Sequence, residues 1–418
     1  MLFGHSADVM NGVRDRAFDD FCRLGFPTRK QERYKYTDMA ELFAPDYGLN
    51  LNRLDIPANP YDAFRCDVPN LSTSLYFVVN DAFYTKAQPK SHLPEGVVIG
   101  SLSDVAAKMP DFIGKYYARI ARTEDDGVTA LNTMLAQDGL VVYVPRGVKV
   151  DRAVQVINIL RSDVDLMVNR RVLIVVEEDA EITLLFCDHA ADDRRFLATQ
   201  VIEAYVGERA GLDLYCLEET HAKNVRVSNL YVEQQRDSRV NHNIITLHNG
   251  VTRNRADVVL AGEGAECRMN GCVIADKEQH VDNNTLIDHR APHCTSNELY
   301  KYVLDGKATG AFAGRVLVRK DSQKTVSEMR NQNICATREA RMYTQPMLEI
   351  YADDVKCAHG STVGQLNDAA LFYMRQRGIS LKEAKLLLEF AFINEVVDTI
   401  RLAPLRDRLH HLVEKRFR

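Results

Sequence analysis

The chain of 418 residues is long enough for two or three domains, each with a core of its own. Its composition, 46% hydrophobic and 27% charged residues, is typical of a folded globular protein. The formal net charge of -5 argues against a nucleic-acid surface, which needs a basic excess. No apolar run approaches a membrane span, and the first residues resemble neither a signal nor a transit peptide. We therefore expect a cytoplasmic protein.

The N-terminal region mixes predicted helices and strands. Residues 5–24 have the pattern of an amphipathic helix, and Leu75–Val79 has that of a strand. Further helices are predicted over residues 103–122 and 128–136. We therefore predict an α+β domain over residues 1–125.

A basic stretch with interleaved tyrosines follows the first helix. We interpret this stretch as a solvated, partly packed segment, because acidic residues dilute it and the whole chain is acidic. Its basic residues are Arg29, Lys30, Arg33 and Lys35.

From residue 140 the pattern changes to short apolar runs that are β-branched or alternate with polar residues, as in strands. Several turns place a small residue at a corner just before the next extended run. Many short strands with repeated corners leave a sandwich, a barrel and a β-solenoid open, because the repeat spacing is irregular. We assign residues 126–364 to this β-rich core. The corner residues include Ala180, Ala210, Ala265 and Ala308.

The residues after Gly364 are predicted to be helical and form a third domain over 365–418. Ser380 and Glu383 make a capping box at the start of its main helix. The apolar residues of this helix cover more than one face, so the helix is either buried or binds a partner. The candidate partner-binding residues are Leu386, Leu387, Phe390, Ile393 and Val397.

Cys357 and His359 are the candidate metal ligands. They are two residues apart in a stretch with strand-like alternation, so their side chains would project from the same face. A thiol and an imidazole suit iron, zinc or iron–sulfur chemistry. The alternative is a packed thiol beside a surface histidine.

The other cysteines give no stronger metal signal. The chain has nine, too few for a disulfide scaffold, and free thiols are expected. Cys267 and Cys272, with Cys294 next to His293, lack the tighter pairing that structural zinc favours. We interpret them as dispersed core thiols.

No catalytic motif is visible. The sequence lacks a phosphate-binding loop, a complete dinucleotide fingerprint, a G-x-S-x-G elbow and an H-E-x-x-H helix. Asp353 and Asp354 are a poor acid/base pair, because neighbours in a strand point to opposite faces. We therefore expect no enzymatic activity.

Two long runs resemble the SufB/SufD family of iron–sulfur cluster assembly proteins. LEIYADDVKCAHGSTVG at residues 348–364 is similar to the C-terminal signature of that family, and GFPTRKQERYKYT at residues 25–37 is similar to its SufD branch. The resemblance covers nearly the whole chain. It implies a right-handed parallel β-helix core between the N-terminal α+β domain and the C-terminal helical domain.

The resemblance also implies a function. The chain would be a non-catalytic subunit of a SufBCD-type scaffold that pairs with a SufB-like protein through its β-helix and binds a SufC-like ATPase through its C-terminal helices. His359 and Cys357 would hold a transient iron–sulfur cluster shared with the SufB-like partner. The resemblance also implies that the complex can bind a flavin, but it assigns no residue of this chain to the flavin site. Two copies of the chain could also pair when alone.

Two other functions stay open on the sequence alone. A β-helix enzyme acting on carbohydrates would usually be secreted and expose a ladder of acidic and basic residues; polysaccharide assays would detect it. A homo-oligomeric β-helix interaction protein would have no metal role. Anaerobic reconstitution with iron and sulfide, with and without a SufB-like partner, would distinguish this hypothesis from the scaffold hypothesis.

Overall fold

Two facing β-sheets of parallel strands form the body of the protein. The computed structural model describes residues 2–54, 56–60, 68, 74–86 and 93–417. In these residues each sheet has ten strands, and successive strands along the chain alternate between the sheets over most of the body. The predicted parallel β-helix is therefore confirmed, and the sandwich and barrel alternatives are excluded.

The first sheet has ten strands in the described part of the chain. They are β1 Gly48–Leu49, β4 Val98–Ser101, β5 Leu140–Val144, β7 Leu166–Val176, β9 Phe196–Val206, β11 Val225–Gln234, β13 Val251–Leu260, β15 His280–His289, β17 Thr309–Val318 and β19 Arg341–Ile350. Their order is β19-β17-β15-β13-β11-β9-β7-β5-β4, with β1 paired to β7.

The second sheet contains the alternate strands. They are β2 Leu75–Val79, β3 Ala82–Phe83, β6 Val154–Leu160, β8 Glu181–Ala190, β10 Gly211–Glu219, β12 Arg239–His248, β14 Glu266–Ala275, β16 Thr295–Leu304, β18 Val326–Cys335 and β20 Lys356–Gly364. Their order is β20-β18-β16-β14-β12-β10-β8-β6-β2-β3.

The corners from the first sheet to the second repeat one local conformation. A residue in the left-handed region is followed by a small or compact side chain that is buried, because only such a side chain fits the inside of a sharp corner. The left-handed residues lie 30, 28, 27, 29 and 31 positions apart, which explains why no fixed repeat is visible in the sequence. They are Asp179, Arg209, Asp237, Gly264, His293 and Lys324.

The helices flank this body. They are α1 Asp8–Asn11, α2 Arg14–Leu24, α3 Met39–Phe43, α4 Leu102–Lys108, α5 Pro110–Tyr116, α6 Gly127–Leu135, α7 Asp368–Gln376, α8 Leu381–Val397 and α9 Ala403–Phe417. Among the described residues, no helix has both the length and the apolar character needed to cross a membrane.

Two predicted helices are interrupted. The helix expected over residues 5–24 is broken after Asn11, because Gly12 has low helix propensity. The second part of the helix begins at Arg14, whose side chain donates hydrogen bonds to the carbonyls of Met134 and Ala136. The helix expected over 103–122 is broken before Pro110, whose ring cannot sit inside a helix, and ends at Tyr116.

A buried carboxylate ties the N-terminal region to the first sheet. Glu203 on β9 accepts hydrogen bonds from four consecutive amides, those of residues 118–121, at 2.8 to 3.2 Å. It also accepts one from the Arg171 guanidinium, and both of these side chains are completely buried. We call Glu203, Arg171 and this loop the Glu203 clamp.

The space between the two sheets, the lumen, contains the largest apolar cluster. It also contains buried charge. Asp188 lies 2.5 Å from the guanidinium of Arg170 and 3.2 Å from that of Arg226, and Arg226 lies 3.7 Å from Glu218. The charges in this part of the lumen are therefore paired.

The division at residues 125 and 364 stays a prediction. Strands from before residue 125 already pair with the β-helix: β1 with β7, β2 with β6, and β4 with β5. The C-terminal helices pack on the outer face of the second sheet, so they share a core with it.

Candidate metal and partner site

The last coil of the β-helix leaves two long strand edges uncovered. Strand β19 pairs with β17 and strand β20 with β18, and in the described part of the chain no strand pairs with their outer edges. These edges present a row of backbone donors and acceptors that another chain could pair with. We call this end of the β-helix the open end.

Pro346 fits this arrangement. The amide of Arg341 bonds to the carbonyl of Ala308 and therefore faces β17. The backbone N–H groups of successive residues in a strand point alternately to its two edges. At Pro346 this group would point to the uncovered edge, so its absence removes no hydrogen bond within the sheet.

Cys357 and His359 lie on β20 at the open end. They are register neighbours of Ser327 and Met329 on β18. Cys357 is half-buried against the lumen core, whereas His359 is exposed. Burial raises the pKa of the Cys357 thiol, and a hydrogen bond with the backbone of Ser327 opposes this shift.

These two residues can supply only part of a metal site. They are two positions apart on one strand, so their Cα atoms are roughly 7 Å apart and their side chains share a face. Among the described residues, no three His, Cys, Asp or Glu side chains group together as metal ligands. A soft thiol and an imidazole fit iron, but further ligands would have to come from outside the described residues of the chain.

Exposed apolar side chains surround the same end. They lie on β18, β19 and β20 and in the turn between β19 and β20, and each is at least 40% exposed. Apolar groups gathered next to open strand edges are typical of a protein–protein interface. They are Val326, Tyr343, Ile350, Tyr351 and Val363.

The basic segment at residues 29–37 lies along the outer face of the first sheet. Arg33 forms an ion pair with Asp257 on β13, and the Tyr34 ring stacks 3.8 Å from the guanidinium of Arg253. The segment is therefore more firmly packed than a solvated segment would be.

This segment then reaches the open end. Thr37 donates a 2.6 Å hydrogen bond to Asp282 on β15, and the Tyr36 ring stacks on Tyr343 of β19 with centroids 5.0 Å apart. Its alternating tyrosines were the only sequence signal for this packing, because the residues that they contact, such as Asp126, Arg253 and Tyr343, lie more than 90 positions away.

The candidate partner-binding residues on α8 divide into two groups. Ile393 and Val397 are fully buried against the second sheet and therefore stabilise the fold. Leu387 is 42% exposed, and Leu386 and Phe390 are half-buried.

Helix α7 adds two side chains that the sequence reasoning missed. Phe372 is 65% exposed and Tyr373 is 60% exposed. Together with Leu381 and Leu387 on α8, they give the helical hairpin an exposed apolar surface, which we call the hairpin surface. Aromatic residues at neighbouring positions of a short helix were the available signal.

The remaining cysteines do not assemble into a site in the part of the chain that the structure describes. Cys267 and Cys294 face the lumen, whereas Cys272 lies on the opposite face of the sheet beneath the C-terminal helices. The interpretation as dispersed thiols agrees with these positions, and His293 is a corner residue with positive φ.

Comparisons with known proteins cover the whole chain. The family model described as "SUF system FeS cluster assembly, SufBD core domain" matches residues 159–392. The model described as "SufBD protein N-terminal region" matches residues 1–156.

Two curated relatives are similar over nearly their full lengths. An iron–sulfur cluster assembly SufBD family protein of Synechocystis is 28% identical over 100% of this chain and 93% of its own length. The iron–sulfur cluster assembly protein SufD of Escherichia coli is 27% identical over 93% of this chain and 88% of its own length.

Proposed function

Because the chain belongs to the SufBD family of the SUF iron–sulfur cluster assembly system, we propose that it is a non-catalytic subunit of a SufBCD-type assembly scaffold. One observation carries the proposal most directly. A thiol and an imidazole lie on the terminal strand of a β-helix whose last two strand edges are open. That arrangement suits a ligand set completed by a second chain.

The open end is the surface proposed to pair with a SufB-like protein. A related β-helix with the same kind of end could extend both sheets, since β19 and β20 offer ten and nine residues of edge. The exposed apolar residues around these edges would be buried by the contact. In the absence of the SufB-like protein, two copies of this chain could use the same surface, as a two-fold interface allows.

The iron–sulfur cluster would be transient cargo of this scaffold. His359 is accessible and can ligate iron through a neutral ring nitrogen, and Cys357 would become a ligand after losing its proton. The SufB-like partner would supply the remaining ligands. We assign no residue to a flavin, which would bind through the complex.

The hairpin surface is proposed to bind a SufC-like ATPase. The second half of α8 is anchored to the second sheet: Lys301, nearly buried on β16, forms an ion pair with Glu395 and lies 4.2 Å from the Phe392 ring. A force applied to the exposed half would therefore be transmitted to the β-helix. This is how ATP-driven closure of a partner could rearrange the open end.

The first experiment tests the cluster ligands. The protein is co-expressed with its SufB-like and SufC-like partners, and cluster maturation of a reporter enzyme is measured in vivo. We expect His359→Ala to reduce maturation more than Cys357→Ala, because the imidazole is the more accessible donor. His293→Ala is the matched control, since that histidine lies at a corner away from the terminal strand. Full maturation by both variants would contradict the assignment.

A second experiment tests the ATPase contact without unfolding the chain. Leu387→Glu and Phe372→Glu place charges on the hairpin surface and should reduce capture of the SufC-like ATPase, whereas Lys415→Ala on α9 should not. Native mass spectrometry of the purified assembly gives the subunit count. Unchanged capture by the double variant would place the ATPase site elsewhere.

A further inference from the structure

A small cavity lies in the lumen between the two sheets. Its volume is about 10 Å³, which is close to the room that one water molecule needs. The polar side chains in its wall come from both sheets: Ser228 on β11 and Asn254 on β13 belong to the first, and His242 on β12 belongs to the second. The residues that line the cavity lie on strands between β9 and β16, so the lining includes neither the terminal strands β19 and β20 nor the proposed cluster ligands.

One histidine in the wall is incompletely bonded. His242 is only 4% exposed, and its Nδ1 atom has no hydrogen-bond partner among the described residues. Burial, together with the nearby Arg226 guanidinium, lowers the pKa of His242 to about 4, so the ring is neutral at physiological pH. A neutral imidazole has one donor and one acceptor nitrogen, and a buried polar atom of this kind is normally bonded to protein or water.

The neighbouring polar groups are already connected to one another. Ser228 accepts a 3.2 Å hydrogen bond from Gln200, so its own hydroxyl hydrogen is a further donor. Asn254 accepts from Arg226 at 3.2 Å and donates to Asn283 at 2.9 Å. A molecule in the cavity would therefore meet donors and acceptors from both sheets.

The charges around the cavity favour a neutral ligand. Two arginines line the cavity, Arg226 and Arg255. Arg226 is 3.2 Å from Asp188 and 3.7 Å from Glu218, and Arg255 forms ion pairs with Asp126 and Asp257, so both charges are compensated inside the protein. An anion would have no unpaired cation to bind, and a buried cation would be repelled by Arg226. A dry cavity is also disfavoured, because empty cavities in proteins are lined by apolar groups.

We propose that the lumen contains a site for one ordered water molecule that bonds to Nδ1 of His242 and to polar groups of the first sheet. The water would connect His242, on the second sheet, with polar groups of the first sheet. No described side chain makes a hydrogen bond to Nδ1 of His242. This assignment concerns the folded chain itself and is independent of the proposed role in cluster assembly.

A crystal structure of the full chain tests the ligand directly. We expect a single density peak within hydrogen-bond distance of His242 Nδ1 at a resolution of about 1.8 Å or better, with two to four polar neighbours. Two soaks distinguish other occupants. Xenon bound in the cavity would show that it is a dry apolar void, and a bromide anomalous peak would show an anion site; either result would overturn the proposal.

Solution measurements provide a second test with a matched control. Oxygen-17 magnetic relaxation dispersion counts water molecules with long residence times. His242→Leu should lose one such water, whereas His289→Leu should lose none. His289 is also a buried lumen histidine with a pKa lowered to about 4 and an unbonded Nδ1, but it does not line the cavity.

If His242→Leu does not fold, Ser228→Ala is measured instead and should also lose or shorten the residence of one water. Equal water counts in the parent and in a folded His242→Leu variant would contradict the proposal.

Discussion

The two ends of the β-helix differ in how far their strand edges are protected. At the N-terminal end, the edge strands are short and antiparallel: β3 has two residues and β4 has four, and helix α4 follows β4 directly. At the open end, β19 and β20 have ten and nine residues, and no described strand pairs with their outer edges. Proteins normally protect such edges, so the unprotected end is the one suited to binding another chain.

The lumen shows a related difference between its two parts. In the part that contains β7 to β12, Asp188 and Glu218 lie close to arginines. Nearer to the open end, Glu298 on β16 is completely buried, receives one 2.7 Å hydrogen bond from Thr285, and has one oxygen without a partner among the described residues. The buried carboxylates of the N-terminal part therefore have arginine partners, whereas Glu298 has a hydroxyl partner and, among the described residues, no arginine.

The largest effect is expected when the attachment of the N-terminal region to the first sheet is disrupted at the Glu203 clamp. Glu203→Ala removes the carboxylate from four amides and leaves the Arg171 guanidinium buried without its partner. We expect the free energy of unfolding in urea to fall by about 3–5 kcal/mol. Glu208→Ala, at an exposed corner, should change it by less than about 0.5 kcal/mol. A similar small change for both would show that the clamp does not hold the N-terminal region on the sheet.

An intermediate effect is expected in the lumen, and it depends on pH. Burial raises the pKa of Glu298 to about 7. The folded protein therefore retains a proton that the unfolded chain loses near pH 4, and stability falls as the pH rises from about 4 to 7. The total contribution is on the order of 3 kcal/mol.

Glu298→Gln removes this titration while keeping an oxygen that can accept from Thr285. We expect the variant to lose less stability than the parent between pH 5 and pH 8, as measured by urea unfolding at both pH values. Glu266→Gln at the exposed start of β14 is the control and should follow the parent. A parent-like slope for Glu298→Gln would show that Glu298 ionises normally.

The smallest effect on stability is expected at the open end. The amide of Lys356 bonds to Thr325, so by alternation the amide of Thr362 faces β18 and that of Val363 faces the uncovered edge. Val363→Pro should change the free energy of unfolding by less than about 1 kcal/mol, yet weaken pairing with the SufB-like protein about tenfold through one lost intermolecular bond.

Thr362→Pro is the matched control for that variant. It removes a bond inside the sheet and should lower stability by about 1–3 kcal/mol. Isothermal titration calorimetry and urea unfolding measure the two quantities. Unchanged affinity for Val363→Pro would indicate that the partner does not pair with this edge.

Local patterns in the sequence predicted much of the fold. Strand Leu75–Val79, the turn-forming corners at Ala180 and Ala265, and the cap of α8, where the Ser380 hydroxyl accepts from the Glu383 amide, are all present. These features depend on residues close in sequence. The stacking of coils depends on contacts between strands about thirty residues apart, and for that the resemblance to a family was needed.

The site was only partly predictable for the same reason. Alternation indicated that Cys357 and His359 share a face, but it did not reveal that their strand is the last one of a sheet. Helical periodicity could not separate the exposed Leu387 from the buried Ile393, because α8 is apolar on more than one face. The Glu203 clamp joins Glu203 to a loop more than 80 positions away and to Arg171, 32 positions away, and had no local signal.

The difference between the two tips of the β-helix bears on how far assembly through strand edges could proceed. A β-helix with unpaired strand edges at both ends could add copies of itself indefinitely and grow into a fibril. Among the described residues, long uncovered strand edges occur at one tip, whereas the edge strands at the other tip, β3 and β4, are short and antiparallel. If the chain pairs through the open end as proposed, joining at that tip stops at two β-helices.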